Sequence, residues 1–190
     1  MKTFLLSFFL LCLSIPGYTQ TTKGNFLVGG KINFESVKDK NYYSPDYAST
    51  NFIFSPNIGY FIVDNIAGGF RLDLGAYNSG NRLVETRYRT TSISPFLRCY
   101  FLPVQRKVNA FLDAGYLYQK TRWRNLQSPE YVEKSHGFSI MAGPAIFLSK
   151  QIAVEFTVGF KHTKLNAFEA TRSNTFNSGV GLQIHLGKTK

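Results

Sequence analysis

Apolar and polar positions alternate along most of the chain. From Asn51 onward, Phe52, Phe54, Pro56, Ile58, Tyr60 and Ile62 share one parity while Asn51, Ser55, Asn57 and Gly59 take the other. After Val63-Asp64-Asn65, the residues Ile66, Gly68, Phe70, Leu72, Leu74 and Ala76 alternate with Ala67, Gly69, Arg71, Asp73, Gly75 and Tyr77. A period of two sustained over a dozen residues predicts a strand, and so tight a junction predicts a hairpin. The same pattern recurs over about 25–36, 87–102, 108–122, 134–149, 152–161 and 176–186, which makes eight strands. Turn-rich polar segments at 37–48, 78–85, 123–133 and around 165–170 read as long loops. Short connections at 63–65, 103–107 and 150–151 alternate with them, the plan of an up-and-down meander whose ends share the short-turn side.

Mid-strand charges decide which face is wet. Lys31, Arg71, Asp73, Arg98, Asp113, Glu155 and Lys161, with Glu35 nearer a loop, all lie on the small or polar parity, and their signs cancel. Counted from the short turns, Arg71, Arg98, Asp113 and Glu155 fall at similar depth, with Asn57 and Gln183 beside them. Charges at one level on one face predict a cross-barrel network. The opposite parity is aromatic and aliphatic and carries no charge through the central band, too much bulk for the lumen of an eight-stranded barrel. The apolar face therefore points to lipid and the polar face inward, and only a closed barrel pairs every strand N–H and C=O in hydrocarbon. The expected fold is all-β, an eight-stranded antiparallel up-and-down transmembrane β-barrel. Pro56, Pro95 and Pro144 each remove a donor from an even-numbered strand, which suggests local bulges.

Composition sharpens this picture at the ends of the chain. Lys2, an apolar run from Phe4 to Ile15 and the Pro16-Gly17 break have the form of a secretory signal peptide, taken as residues 1–19 and leaving 20–190 as one barrel domain. The run is shorter than the roughly 20 residues a membrane helix needs. The 190-residue chain carries 22 Lys and Arg against 11 Asp and Glu, a net +11 that becomes +10 once Lys2 leaves with the leader. Cys99 is then the single cysteine, so no intramolecular disulfide can brace the domain. A basic exported protein meets anionic lipid or glycan phosphate, and no groove-reading motif points to nucleic acid.

The segments FSPNIGYFIVDNIAGGFRLDL, ISPFLRCYF and GFSIMAGPAIFLSKQIAVEFTVGF resemble the outer membrane β-barrel domain family, the small eight-stranded OmpA/OmpX-like proteins of Gram-negative bacteria. The resemblance implies an outer-membrane location with short turns and both termini periplasmic and long loops extracellular. The last strand, GVGLQIHL, resembles the signal such barrels present to the barrel-assembly machinery, with Gly181, Ile184 and Leu186 in matching places, which implies that machinery as a partner during insertion.

Candidate chemistry is sparse. His136, His162 and His185 have no metal-site spacing, and no cofactor motif is present. Some barrels of the resembling kind modify lipid A; His162 with Ser173 and Glu169 is the only triad that can be assembled here, and nothing in the sequence orients it for catalysis. Lys31, Arg71, Asp73, Arg98, Asp113, Glu155 and Lys161 form the expected lumen network, closing the pore to solutes. Near the long loops, Arg87, Arg89, Lys120, Arg122, Arg124, Lys164 and Arg172 form a basic rim suited to lipopolysaccharide phosphates, with Trp123, Tyr116, Tyr118 and Tyr131 as an interfacial girdle. A structural or adhesive envelope role without catalysis is expected; a lipid A-modifying enzyme, a small-solute channel and a soluble lipocalin-like binder are the alternatives. The extracellular ligand is not legible.

Overall fold

The computed structural model describes residues 21–39, 47–80, 85–103, 106–125, 128–165 and 172–187, with side chains over 21–33, 51–77, 88–103, 106–123, 131–165 and 173–187. The expected leader, 1–19, lies outside these residues. Eight strands follow in order: β1 (Phe26–Asp39), β2 (Tyr47–Val63), β3 (Ile66–Gly80), β4 (Glu85–Tyr100), β5 (Val108–Asn125), β6 (Ser128–Phe147), β7 (Ile152–Leu165) and β8 (Arg172–Leu186). Each pairs antiparallel with the next, and β8 pairs with β1 to close the barrel.

Call the end that carries the connections after β2, β4 and β6 the lower end. Phe26 pairs with Leu186 there, so the barrel's first and last strands begin and end at the same rim. The β2–β3 turn is as tight as expected: Asp64 and Asn65 make it, with Asn65 in the left-handed region at φ 65°, which Asn tolerates better than most residues. Residues 21–25 then fold across this rim. The Asn65 N–H donates to the Thr21 carbonyl at 2.7 Å, and the Phe61 N–H to that of Asn25 at 2.9 Å. Gly24, at φ 92°, supplies the reversal.

The upper end differs from the expectation. The segments 123–133 and 78–85 are largely strand rather than loop: only residues 126–127 separate β5 from β6, and 81–84 separate β3 from β4. Conversely, the β4–β5 connection spans 101–107, so loop lengths do not alternate. What alternates is the projection of the hairpins. Trp123, Tyr131 and Glu133 keep the period of two through polar sequence, as a strand does once it rises out of an apolar band. At the lower end the Asn109 amide closes the 101–107 connection, accepting from the Leu102 N–H at 2.8 Å and donating to its carbonyl at 2.9 Å. Asn109→Ala strands both groups and is expected to cost about 1–3 kcal/mol, read as a lowered urea midpoint; an unchanged midpoint would mean water replaces the amide.

The prolines produce gaps, not the expected bulges. The β2–β3 ladder skips Ser55 and Pro56, the β4–β5 ladder skips Ser94 and Pro95, and the β6–β7 ladder skips Gly143 and Pro144. Register is the same on both sides of each gap, because proline removes one donor without adding a residue. β2, β4 and β6 each repeat the device against the strand that follows.

The faces sort cleanly. Phe70, Leu97, Tyr118, Phe156 and Val158 project outward and are exposed, while Phe61, Phe111, Leu117, Arg98, Asp113 and Glu155 are buried inside. The uncharged outward run of β5, Val108 to Tyr118, covers roughly 25 Å at about 3.3 Å per residue and a tilt near 40°, the height of an outer-membrane apolar band.

Candidate functional site

The lumen has two halves. In the lower half, Arg71 Nη2 donates to Asp113 Oδ2 at 2.7 Å, Arg98 Nε to the same oxygen at 3.1 Å, and Arg98 Nη1 to Glu155 Oε1 at 2.8 Å. These two cations and two carboxylates come from β3, β4, β5 and β7 and are 3% exposed or less, so the network crosses the lumen from wall to wall. The Tyr100 hydroxyl adds a hydrogen bond to Glu155 at 3.2 Å. The guanidinium of Arg71 lies 4.8 Å from the Phe96 ring centre, and that of Arg98 lies 4.6 Å from that of Phe111. Flat cations sandwiched between ring faces and carboxylates keep their charge while excluding water.

Below the network the lumen is mainly aromatic and aliphatic. Leu27, Phe61, Tyr100, Phe111 and Phe147 form a buried cluster. His185 lies among them, its ring 5.6 Å from Phe61 and 5.2 Å from Phe147. Part of this plug is legible in the sequence, where Tyr100, Phe111 and Phe147 stand on the small-and-polar parity near the short turns; the closed sheet adds Leu27, Phe61 and His185.

Above the network the lumen opens into a cup of about 540 Å³. The other three expected charges lie here rather than in the network. Asp73 accepts from the Ser92 hydroxyl at 2.7 Å, Lys161 donates to Gln119 Oε1 at 3.3 Å, and the Lys31 ammonium points at the thioether of Met141. Across the upper wall runs a row of aromatic rings, Tyr77 stacked on Tyr88 at 4.0 Å and Tyr88 against Trp123 at 4.4 Å. Trp123 pairs in register with Tyr131 and its indole N–H donates to Glu133 at 3.2 Å. Trp123 and Tyr131 thus belong to the inner face, not to the expected outer girdle, because β5 and β6 keep their parity through the supposed loop. Tyr116 and Tyr118 do face outward, packed edge to face at 5.1 Å.

Among the described side chains the basic rim is outward and one-signed. Arg89 is the cross-strand partner of Arg122, Lys120 that of Lys134, and His136 that of Lys164. Among the described side chains, no carboxylate shares the outward face of the strands with them. Arg87, Arg124 and Arg172 fall on β4, β5 and β8, and their side chains lie outside the described set.

The candidate triad is not assembled. His162 faces outward, stacked 5.4 Å from Phe138, with Nδ1 2.6 Å from Asn174 Oδ1. Ser173 lines the cup on the other side of the wall, and Glu169 lies outside the described residues.

A closed antiparallel wall, apolar outside and filled with paired charges inside, defines a transmembrane β-barrel. The chain belongs to the outer membrane protein beta-barrel domain family, whose profile matches residues 5–183, and so to the bacterial outer membrane. Solved structures agree on the fold. Neisserial surface protein A superposes with a TM-score of 0.60 at 13% identity over 85% of this chain and 97% of that one. OprG of Pseudomonas aeruginosa gives 0.59 at 9% identity over 89% and 99%. The N-terminal barrel domain of Pseudomonas aeruginosa OprF gives 0.50 at 13% identity over 89% and 100%. No curated protein sequence was found to match.

Proposed function

We propose that this protein is a non-conducting, non-catalytic envelope barrel that anchors in the outer leaflet through lipopolysaccharide and serves a structural or adhesive role. In this reading the leader at 1–19 directs export, the assembly machinery inserts the barrel, the lower end is periplasmic, and the projecting hairpins are extracellular. The observation that carries it is the outward rim, one-signed among the described side chains. Arg89 opposite Arg122 and Lys120 opposite Lys134 repel one another across the sheet unless anions lie between them. Lipopolysaccharide phosphates supply such anions at the level where long cationic side chains reach the interface.

The test compares unfolding in phosphatidylcholine vesicles with and without added lipopolysaccharide. Lipopolysaccharide is expected to raise the urea midpoint of the natural protein and to raise that of an Arg89→Gln, Lys120→Gln, Arg122→Gln variant much less. Equal gains in both proteins would reject the rim as the anchor. The plug of Phe61, Tyr100, Phe111 and Phe147 beneath the ion network supports the non-conducting part. Planar-bilayer recordings are expected to show no steady ohmic current, and a steady current would reject it.

A further inference from the structure

The barrel is not zipped along its whole height. The β1–β8 ladder runs from Phe26↔Leu186 only to Ile32↔Val180, although β1 continues to Asp39 and β8 begins at Arg172. Every other neighbouring pair stays in register far higher; β1 itself remains paired with β2 up to Asp39↔Tyr47. Above Ile32 and Val180 the facing edges of β1 and β8 therefore have no ladder between them. Unpaired strand edges in hydrocarbon are costly, so an opening at this height calls for something to fill it.

Where the ladder stops, the wall carries a groove of about 650 Å³. Outside it is lined by Val158, Phe160 and Phe176, and inside it reaches Asn33, Asn51 and Asn177, which also line the cup. An apolar space facing lipid thus adjoins a polar one in the lumen across a wall of asparagines. The wall between the two spaces is under-satisfied. Asn33 Oδ1 and Asn177 Oδ1 are buried with no hydrogen-bond partner among the described residues. Lys31, one inward position below Asn33, is 7% exposed, and among the described residues its ammonium has a thioether, a poor acceptor, as its hydrogen-bond partner. A buried cation with no oxygen in hydrogen-bond reach among the described residues, in a cup that adjoins an apolar groove, is complementary to a molecule that is anionic at one end and aliphatic along the rest.

We propose that the open upper stretch of the β1–β8 seam admits the acyl chain of an anionic amphiphile from the surrounding leaflet, whose carboxylate or phosphate head pairs with Lys31 in the cup. The proposal rests on the membrane fold and not on the adhesive or lipopolysaccharide-anchored reading of the exterior. Trp123, the chain's one tryptophan, lines the cup and reports on it.

The experiment uses the full barrel refolded into phosphatidylcholine vesicles and titrated with stearic acid spin-labelled near its carboxyl. Quenching of Trp123 is expected to saturate. Lys31→Met, or the uncharged methyl ester of the same probe, weakens the apparent affinity by about tenfold or more. In a Cys99→Ser background, cysteines at positions 34 and 178, the second pair beyond Ile32↔Val180 in the same register, close the seam on oxidation; saturable quenching is then lost and returns on reduction. Quenching that rises linearly, alike for acid and ester and in Lys31→Met, would overturn the proposal whether or not the crosslink forms. A lysophosphatidic acid competing with the probe would identify a phosphate head as an alternative to the carboxylate. Competition by inorganic phosphate that persists in the oxidised seam variant would show entry through the upper mouth and overturn the lateral route.

Discussion

Asp113→Ala destabilises the folded barrel by about 3–5 kcal/mol, the largest loss expected from any single lumenal truncation. Asp113 Oδ2 is the shared acceptor of Arg71 at 2.7 Å and Arg98 at 3.1 Å, so its removal leaves two cations facing one carboxylate, Glu155. Arg98 keeps that partner, whereas Arg71 loses the only acid it touches among the described residues and is 3% exposed. The cost lies less in the bonds lost than in a guanidinium stranded where water cannot reach it. The sign of a second variant separates these contributions. Arg71→Leu with Asp113→Leu removes one charge of each sign and leaves Arg98 on Glu155, so it should recover most of the stability that Asp113→Ala loses. Urea unfolding from vesicles reads both. If the double variant falls as far as the single one, the bonds themselves and not charge balance hold the lumen.

Arg71, Arg98, Asp113 and Glu155 could be placed together by counting residues from the short turns, because a strand converts sequence distance into depth at a fixed rise and alternation fixes the face. Parity alone puts Lys31, Asp73 and Lys161 on the lumenal face with them; that these three line an open cup instead depends on the closed circuit of the sheet, which no alternation reveals. The aromatic plug was half visible: Tyr100, Phe111 and Phe147 stand on the polar parity, but only closure of the sheet brings them against Phe61 and His185. Trp123 was misplaced for a local reason. Its segment has the polarity of a loop, and polarity in a barrel strand can equally mean that the strand has left the lipid. The β1–β8 seam was the least legible element, since the register between the first and last strands depends on the whole circuit of the barrel and on no run of residues within it.

Leu112→Arg tests the orientation of the wall itself. Leu112 is the outward residue near the middle of the uncharged run from Val108 to Tyr118, is 40% exposed, and has Cys99 and Ala142 as cross-strand neighbours. An arginine there must either sit in hydrocarbon or drag headgroups and water toward itself, which in barrels of this kind costs about 2–4 kcal/mol near the midplane. At Tyr118, close below the Lys120 level, the same side chain reaches the interface, and Tyr118→Arg should cost about 0–1 kcal/mol. The two positions share a strand and a face, so intrinsic strand preference cancels from the comparison and depth alone remains. On a wall bathed by water both substitutions would fall within about 0.5 kcal/mol of neutral. Unfolding from vesicles that ranks Leu112→Arg well below Tyr118→Arg therefore reports lipid against the middle of β5. Equal effects would mean that the outward apolar residues are covered by something other than a bilayer.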